Sequence, residues 1–203
     1  MTVSLIITTY NWPRALYLCL DSVMQQTVLP DEILIADDGS GMATRDVVKH
    51  FERISPVPVR HIWHEDRGFR VATIRNKAIA ASTCDYIIQI DGDLILERHF
   101  VQDHILFAKP GCYVSGSRGI ITEPLTRQVL SGAITSLSAL TKGVRCRNNV
   151  MRIPFMAIIY RMIAGSKSPR SCNMALWRED AIRVNGYDES FEGWGYELSL
   201  IHI

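Results

Sequence analysis

The sequence has no acidic residue over a long internal stretch, between Glu123 and Glu179. The formal net charge is only +1, so the asymmetry is local. It indicates either a face that meets anions (a phosphate, an acidic saccharide or an anionic membrane surface) or a solvated basic face without a ligand. No nucleic-acid recognition motif accompanies it, so we expect no nucleic-acid partner. The basic residues of the stretch are Arg127, Lys142, Arg145, Arg147, Arg152, Arg161, Lys167, Arg170 and Arg178.

Paired cysteines and long apolar runs are also missing. The five cysteines are scattered, without CxxC pairs or metal-ligand spacing, which argues against a disulfide framework and a zinc site and favours a reducing compartment. No apolar run approaches the ~20 residues that span a bilayer, and the first residues do not resemble a signal peptide. We therefore expect a cytoplasmic chain, with peripheral contact at the inner membrane face as a further expectation.

Short apolar strands alternate with helical patterns in the first half. Strands are predicted at 3–8, 32–36, 59–63 and 86–90, with helices at 13–23, 44–54 and 73–81 between them. This rhythm predicts an α/β fold with a doubly wound, mostly parallel central sheet flanked by helices. The second half is less regular, with a predicted strand at 112–116. An apolar stretch at 150–163 predicts a helix that packs on the sheet or lies at a membrane interface.

Polar clusters follow three of the predicted strands, at 8–11, 37–40 and 91–93. Ligands of doubly wound sheets bind beyond the carboxyl ends of the strands, so we expect one shared crevice. A nucleotidylyltransferase would carry a Gly-rich, basic loop directly after the first strand. Here the segment reads Thr9-Tyr10-Asn11-Trp12, which argues against that class.

Asp91-Gly92-Asp93 ends the fourth predicted strand. Two carboxylates suit Mg²⁺ or Mn²⁺, which prefer oxygen ligands and keep positions for substrate phosphates. We expect Gly92 to permit a tight backbone turn that lets both acids serve one site. The same residues are also common in ordinary turns.

Asp37-Asp38-Gly39-Ser40 allows two interpretations as well. A carboxylate there can bind a nucleoside, or Asp38 or Ser40 can cap the following helix. Further along, Arg70 and Arg75 lie where a helix begins and can bind phosphate. Arg75 is equally suited to pair with Asp91 or Asp37.

Together these segments resemble the inverting family 2 glycosyltransferases of GT-A fold. The match extends through Ser171 to Leu176 and through Asn185 to Glu197, which is similar to the galactosyltransferase-like and chondroitin-polymerase-like branch. The motifs that carry it are Ile6-Ile7-Thr8-Thr9-Tyr10-Asn11-Trp12-Pro13, Asp37-Asp38-Gly39-Ser40, Asp66-Arg67-Gly68-Phe69-Arg70, Asp91-Gly92-Asp93 and Gly193-Trp194-Gly195-Tyr196-Glu197.

The resemblance implies transfer of a sugar from a nucleotide-diphosphate sugar, UDP-linked by family preference, to a saccharide or lipid-linked acceptor, with inversion, in cell-surface polysaccharide synthesis. Asp91 and Asp93 would hold the divalent metal, with Gly92 beside the donor. Asn173 and Trp194 would shape the sugar and acceptor side. The residues implied for the nucleoside, ribose and diphosphate are Thr8, Tyr10, Asn11, Asp37, Asp38, Gly68, Arg70, Arg75 and Asn76.

The family pattern continues in Glu-Asp after Gly-Trp-Gly-x, and one of these acids deprotonates the acceptor hydroxyl. Here Glu197 is present and Leu198 replaces the second acid. We therefore expect Glu197 to act as the base, with donor and metal binding encoded and transfer weak or absent. The alternative is a sugar-nucleotide-binding module without catalysis. We expect one domain, with a nucleotide-binding half at 1–110, an acceptor-side half at 111–197, and a truncated or non-native tail at 198–203.

Overall fold

Alternating strands and helices build three layers, a helical layer on each face of a central sheet. The computed structural model describes residues 1–153 and 171–190. The strands are β1 Val3–Thr9, β2 Glu32–Asp37, β3 Val59–Trp63, β4 Tyr86–Asp91, β5 Val114–Ser115, β6 Ile120–Ile121, β7 Val144–Arg145 and β8 Asn173–Trp177. The helices are α1 Pro13–Met24, α2 Met42–Ile54, α3 Val71–Ala81, α4 Phe100–Phe107, α5 Glu123–Leu130 and α6 Arg178–Arg183, with a 3₁₀ turn at Arg147–Asn149.

The central sheet has six strands in the order β3-β2-β1-β4-β8-β5. β1 pairs in parallel with β2 and β4, and β2 pairs in parallel with β3. β8 is antiparallel to both β4 and β5. The predicted doubly wound, mostly parallel sheet is confirmed.

Each face of the sheet buries its own apolar cluster, because successive side chains of a strand point to opposite faces. On one face, strand residues such as Leu5 and Ile7 pack with Leu16, Leu20 and Phe51 of α1 and α2. The other face packs strand residues against α3 and α6, represented by Ile6, Leu34, Ile74, Ala78 and Ala181. The inner strands are buried on both faces, which explains their continuous apolar runs.

The predicted elements of the first half lie where the sequence placed them. α2 and α3 each begin two residues earlier than predicted, and the strand expected at 112–116 shortens to Val114–Ser115. β8 has no counterpart among the predicted elements, although it pairs with the central strand β4. The predicted apolar helix at 150–163 falls mainly outside the described residues.

The chain divides into two compact units. One comprises Met1–Ser115 and Ser171–Ile203, and the other Gly116–Arg170. The described part of the second unit contains α5 and the two-stranded β6–β7 ladder, in which Ile120 pairs with Arg145. Over the described ranges, no helix has both the length and the apolar character needed to cross a bilayer.

Candidate active site

The strand order reverses between β1 and β4, because the chain first builds outward through β2 and β3 and then returns to the other side of β1. Ligand crevices of doubly wound sheets open at this switch point. Thr8 and Asp91 are register partners there, and the amide of Gly92 donates to the Thr8 carbonyl at 2.7 Å. The Asp91-Gly92-Asp93 motif is therefore anchored to the end of β1.

Arg75 joins these two strand ends. Its Nη2 donates to Oδ1 of Asp91 at 3.1 Å and its Nε to Oγ1 of Thr8 at 3.3 Å. The side chain of Arg75 is 3% exposed, whereas that of Asp91 is 33% exposed. The sequence left open whether Arg75 pairs with Asp91 or Asp37, and the structure shows the pair with Asp91. A buried, always protonated guanidinium thus holds the first acid at the crevice.

Gly92 has a different role from the expected one. Its φ angle is not in the left-handed region, so no unusual turn requires glycine. A Cβ atom there would instead lie 3.0 Å from the Thr8 carbonyl oxygen and 3.3 Å from Cβ of Thr9. Glycine thus allows the motif to pack directly against β1, where a side chain would press on the Thr8 carbonyl.

The donor set of the motif fits a hard divalent cation. Asp93 is exposed and Asp91 is one-third exposed, so both carboxylates are within reach of solvent. Within residues 1–153 and 171–190, no group of three or more His, Cys, Asp or Glu side chains forms a ready-made metal cluster. Two protein carboxylates completed by substrate phosphates and waters is an arrangement common for Mg²⁺.

The two acids at the end of β2 bind protein partners. Asp37 accepts from the Ser40 amide at 2.8 Å and lies 2.8 Å from Nε2 of His61. Burial alone would raise the pKa of Asp37, but the hydrogen bonds from His61 and Ser40 outweigh it and lower the pKa. The expectation that Asp38 or Ser40 caps α2 is wrong: Gly41 occupies the cap position and no side chain caps the helix.

Asp38 ties the end of β2 to the segment after β3. Its Oδ1 lies 2.6 Å from Nε2 of His64, and its Oδ2 accepts from the Arg70 amide at 3.0 Å. Lys77 of α3 contacts the other ring nitrogen of His64 at 3.3 Å. Asp38 and His64 are 2% and 7% exposed, so the pair is part of the interior.

A loop at 64–70 lies against the ends of β1 and β2. Gly39 has a φ of +99°, and a Cβ there would lie 2.6 Å from Cα of Asp66. The hydroxyl of Tyr10 donates to Oδ2 of Asp66 at 2.9 Å, and the Gly68 amide donates to Oδ1 at 3.1 Å. These two bonds, the Gly68 amide first, lower the pKa of Asp66.

Asn11 fixes the loop after β1. It adopts a left-handed φ of 44°, which asparagine tolerates better than most residues. Its amide donates to Oγ of Ser40 at 2.8 Å and its Oδ1 accepts from the Gly41 amide at 3.0 Å. The predicted residues of β1 and β2 are thereby brought together.

The remaining predicted residues have different surroundings. Arg70 donates to the Glu65 carbonyl at 2.7 Å, while its Nε is buried without a partner in the described part of the chain. Asn173 begins β8, and its Oδ1 lies 3.0 Å from Nε2 of His104. The side chain of Asn76 faces the backbone of Tyr187. Trp194 and Glu197 lie outside the described residues.

His61 and His64 were not among the predicted residues. His64 directly follows β3, so the strand-end rule applied to β3 points to it. His61 lies in the middle of β3 and is linked to the edge through its contact with Asp37. The signal was weaker because β3 carries polar residues along its length and is only partly buried.

The family comparison matches most of the chain. The model described as glycosyl transferase family 2 matches residues 4–180. A validoxylamine A glucosyltransferase from Streptomyces hygroscopicus subsp. limoneus is 27% identical over 96% of this chain and 46% of that protein. A chondroitin synthase from Escherichia coli is 22% identical over 96% of this chain and 31% of that protein. The chain spans less than half the length of these two relatives.

Solved structures share the fold. The mannosyltransferase PcManGT from Pyrobaculum calidifontis, in complex with GDP-Man and Mn²⁺, superposes with a TM-score of 0.63 at 19% identity, over 92% of this chain and 47% of that one. S. aureus TarS 1–349 in complex with UDP gives 0.59 at 18% identity, over 99% and 54%. The expected GT-A fold is thus confirmed.

Proposed function

The chain belongs to glycosyl transferase family 2, and from this membership we propose that it transfers a sugar from a nucleotide-diphosphate sugar, with UDP as the nucleotide, to a hydroxyl of a saccharide or lipid-linked acceptor. We propose inversion at the anomeric carbon and a role in cell-surface polysaccharide synthesis. A relative named chondroitin synthase supports the polysaccharide role.

The observation that carries the proposal is the assembly at the β1–β4 switch point. Arg75, buried on α3, bonds to Thr8 of β1 and to Asp91 of β4. It thereby neutralises part of the charge of Asp91 and leaves the exposed Asp93 beside it. A diphosphate is anionic, so its binding site needs positive charge, which Arg75 and a bound divalent cation would supply. The acids at the strand end would hold that cation.

Donor binding is assigned to the loops that surround this point. The nucleoside lies near Tyr10 and Asn11, on loops that Asp37 and Asp38 hold in place through their hydrogen bonds. Gly68 and Arg70 approach the ribose and diphosphate. The buried, unpartnered Nε of Arg70 supports this assignment, since a buried donor without a partner is costly unless a ligand satisfies it.

Asp91 and Asp93 are the residues that would hold a divalent cation, Mn²⁺ or Mg²⁺. Such an ion supplies Lewis-acid stabilisation of the departing diphosphate. The Mn²⁺ present with GDP-Man in the Pyrobaculum structure supports this choice. The hydrogen bond from Arg75 fixes the position of Asp91 at the end of β4.

On the acceptor side we assign Asn173 and Trp194 to sugar contacts and Glu197 to the removal of the acceptor proton. A carboxylate within hydrogen-bond reach of the hydroxyl raises its nucleophilicity as it attacks the anomeric carbon in line. Leu198, next to Glu197, favours the second candidate: a nucleotide-sugar-binding module without transfer.

A transfer assay separates the two candidates. UDP- and GDP-sugars are incubated with Mn²⁺ and saccharide acceptors, and the product linkage is read by NMR. We expect slow transfer with an inverted anomeric centre, loss of at least about 100-fold in Glu197→Gln, and a gain in Leu198→Asp. Nucleotide binding without turnover in any of these proteins would favour the binding module.

We further propose a cytoplasmic location with peripheral contact to the inner membrane face. Residues 116–153 contain six basic side chains and one acidic one, Glu123. Ile120 and Arg145 are cross-strand partners and both are exposed, so an apolar and a cationic group share one face of the ladder. Membrane-surface segments combine apolar and basic groups in this way.

Co-sedimentation with vesicles tests this contact. We expect binding to phosphatidylserine vesicles that weakens with salt and falls several-fold in Arg145→Glu, since each basic residue near an anionic surface contributes about 1 kcal/mol. The exposed Arg53→Glu on α2 serves as a control of equal charge change. Equal binding to neutral vesicles, or equal losses in both variants, would contradict the proposed surface.

A further inference from the structure

The side-chain amide of Asn76 on α3 forms all its hydrogen bonds with a loop more than 100 residues later in the sequence, at residues 186–189. Its Nδ2 donates to the Tyr187 carbonyl at 2.8 Å and to Oε1 of Glu189 at 2.8 Å, and its Oδ1 accepts from the Tyr187 amide at 2.8 Å. An asparagine amide has two donor hydrogens, and both are used here. Neither hydrogen is left for a diphosphate oxygen.

The loop is shaped around this contact. Gly186 has a left-handed φ of +67°, and its Cα lies so close to Oδ1 of Asn76 that a side chain there would collide with the amide. Thr73, one turn earlier on α3, donates to Oε2 of Glu189 at 3.1 Å. α3 therefore holds residues 186–189 at several points.

The same loop reaches the candidate active site through Tyr187. Its ring centroid lies 5.6 Å from Cζ of Arg75, the residue that contacts Asp91. Its hydroxyl donates to Oε1 of Gln89 on β4 at 2.9 Å, and Tyr187 is 4% exposed. One buried ring thus contacts both α3 and β4, the two elements that carry Arg75 and Asp91.

We propose that Asn76 is a positioning residue for transfer and not a donor ligand. By binding Tyr187 and Glu189, it fixes residues 187–189 relative to the Arg75–Asp91 pair. In the sequence these residues shortly precede Gly193-Trp194-Gly195-Tyr196-Glu197. This inference rests on the proposed function, because it concerns the placement of the acceptor-side residues. It replaces the sequence-based assignment of Asn76 to the diphosphate.

The test compares Asn76→Asp, Glu189→Gln and the double variant with the wild-type chain. Asn76→Asp keeps the size of the side chain but sets acceptors against the Tyr187 carbonyl and the Glu189 carboxylate. In the double variant the new amide at position 189 donates to the new carboxylate at position 76, which restores one bond. Ala80→Ser, an exposed position on the same helix, is the control.

We expect kcat to fall at least about tenfold in Asn76→Asp, with the KM for the nucleotide sugar and the Kd for UDP within about twofold of wild type. Glu189→Gln should stay within about threefold of wild type, and the double variant should recover part of the lost kcat. A merely structural defect would lower the melting temperature without this split between kcat and KM.

A raised Kd for UDP in Asn76→Asp would make Asn76 a donor ligand and overturn the inference. Unchanged kcat in this variant would overturn it as well, while leaving the proposed function intact. A wild-type chain that binds UDP but transfers no sugar would contradict the proposed function itself, and the inference with it.

Discussion

His104 is a buried histidine on α4 whose ring contacts the predicted sugar-side residue Asn173. Its Nε2 lies 3.0 Å from Oδ1 of Asn173, and its Nδ1 has no partner among the described residues. Burial lowers its pKa to about 4, with the hydrogen bond to Asn173 opposing that shift only in part. The ring is therefore neutral at neutral pH.

This residue predicts a pH dependence of stability. Between pH 6.5 and about 4 the unfolded chain binds a proton at His104 and the folded chain does not. The free energy of unfolding is therefore highest above pH 6.5, where neither state is protonated at His104. It falls as the pH falls through this window, by roughly 3 kcal/mol in total. Urea unfolding at several pH values should show the slope.

His104→Gln should flatten this slope, because glutamine does not titrate. His99, whose side chain is 30% exposed and lies 2.8 Å from Glu97, provides the control His99→Gln, which should keep the wild-type slope. A slope that is the same in wild type and His104→Gln would show that His104 is not held neutral by burial.

The sequence predicts which residues belong to the candidate site more readily than it predicts their hydrogen-bond partners. The motif places Arg75 near the phosphate-binding helix start, but only the three-dimensional structure decides that its guanidinium bonds to Asp91 and Thr8 rather than to Asp37. The partners Asp91 and Thr8 are 16 and 67 positions away in sequence, and such non-local contacts follow from strand register, which the local pattern does not encode.

At the level of elements, the loop at 64–70 depends on Gly39. This glycine combines a left-handed φ of +99° with a close approach of its Cα to the backbone of Asp66. Gly68 also has a left-handed φ, +87°, but a Cβ there would meet nothing within 4 Å. Substitution at Gly68 therefore adds backbone strain alone, whereas substitution at Gly39 adds both backbone strain and a steric clash.

Gly68→Ala should cost about 1 kcal/mol of unfolding free energy, from backbone strain alone. Gly39→Ala should cost more, on the order of 2–4 kcal/mol, because the loop with Asp66 must also move. Nucleotide affinity should fall in both variants, because Gly68 is assigned to the donor site, and it should fall further in Gly39→Ala, where the whole loop with Asp66 is displaced. Chemical denaturation and calorimetry measure both quantities, and equal effects of the two substitutions would contradict the packing described for Gly39.

The elements of the first half follow from periodicity because β1, β2 and β4 are continuous buried runs and the helices between the strands each have an apolar face. β8 does not follow from it. Its residues Asn173–Trp177 pair with Tyr86–Ile90, more than 80 positions earlier in the chain. A short strand completed by such a distant partner carries no local sign that it inserts antiparallel beside β4.

For the whole molecule, the strand order determines where function lies. The reversal between β1 and β4 gathers the ends of three parallel strands, and Arg75 from α3 closes the arrangement. The alternating pattern predicts the crevice at the carboxyl edge, since ligands of such sheets bind there. The same pattern does not predict that Asp37 pairs with His61 and Asp38 with His64, because these pairs depend on how the side chains of β2 and of the segment at 61–64 pack together.

Calorimetric titration of UDP and GDP with and without Mn²⁺ tests the central claim most directly, namely that Asp91-Gly92-Asp93 holds a metal against the donor diphosphate. We predict Mn²⁺-dependent binding that weakens at least about tenfold, or about 1.4 kcal/mol, in Asp93→Asn. The exposed α2 residue variant Asp46→Asn should bind as wild type. Equal affinity with and without Mn²⁺, or undiminished binding by Asp93→Asn, would contradict the account.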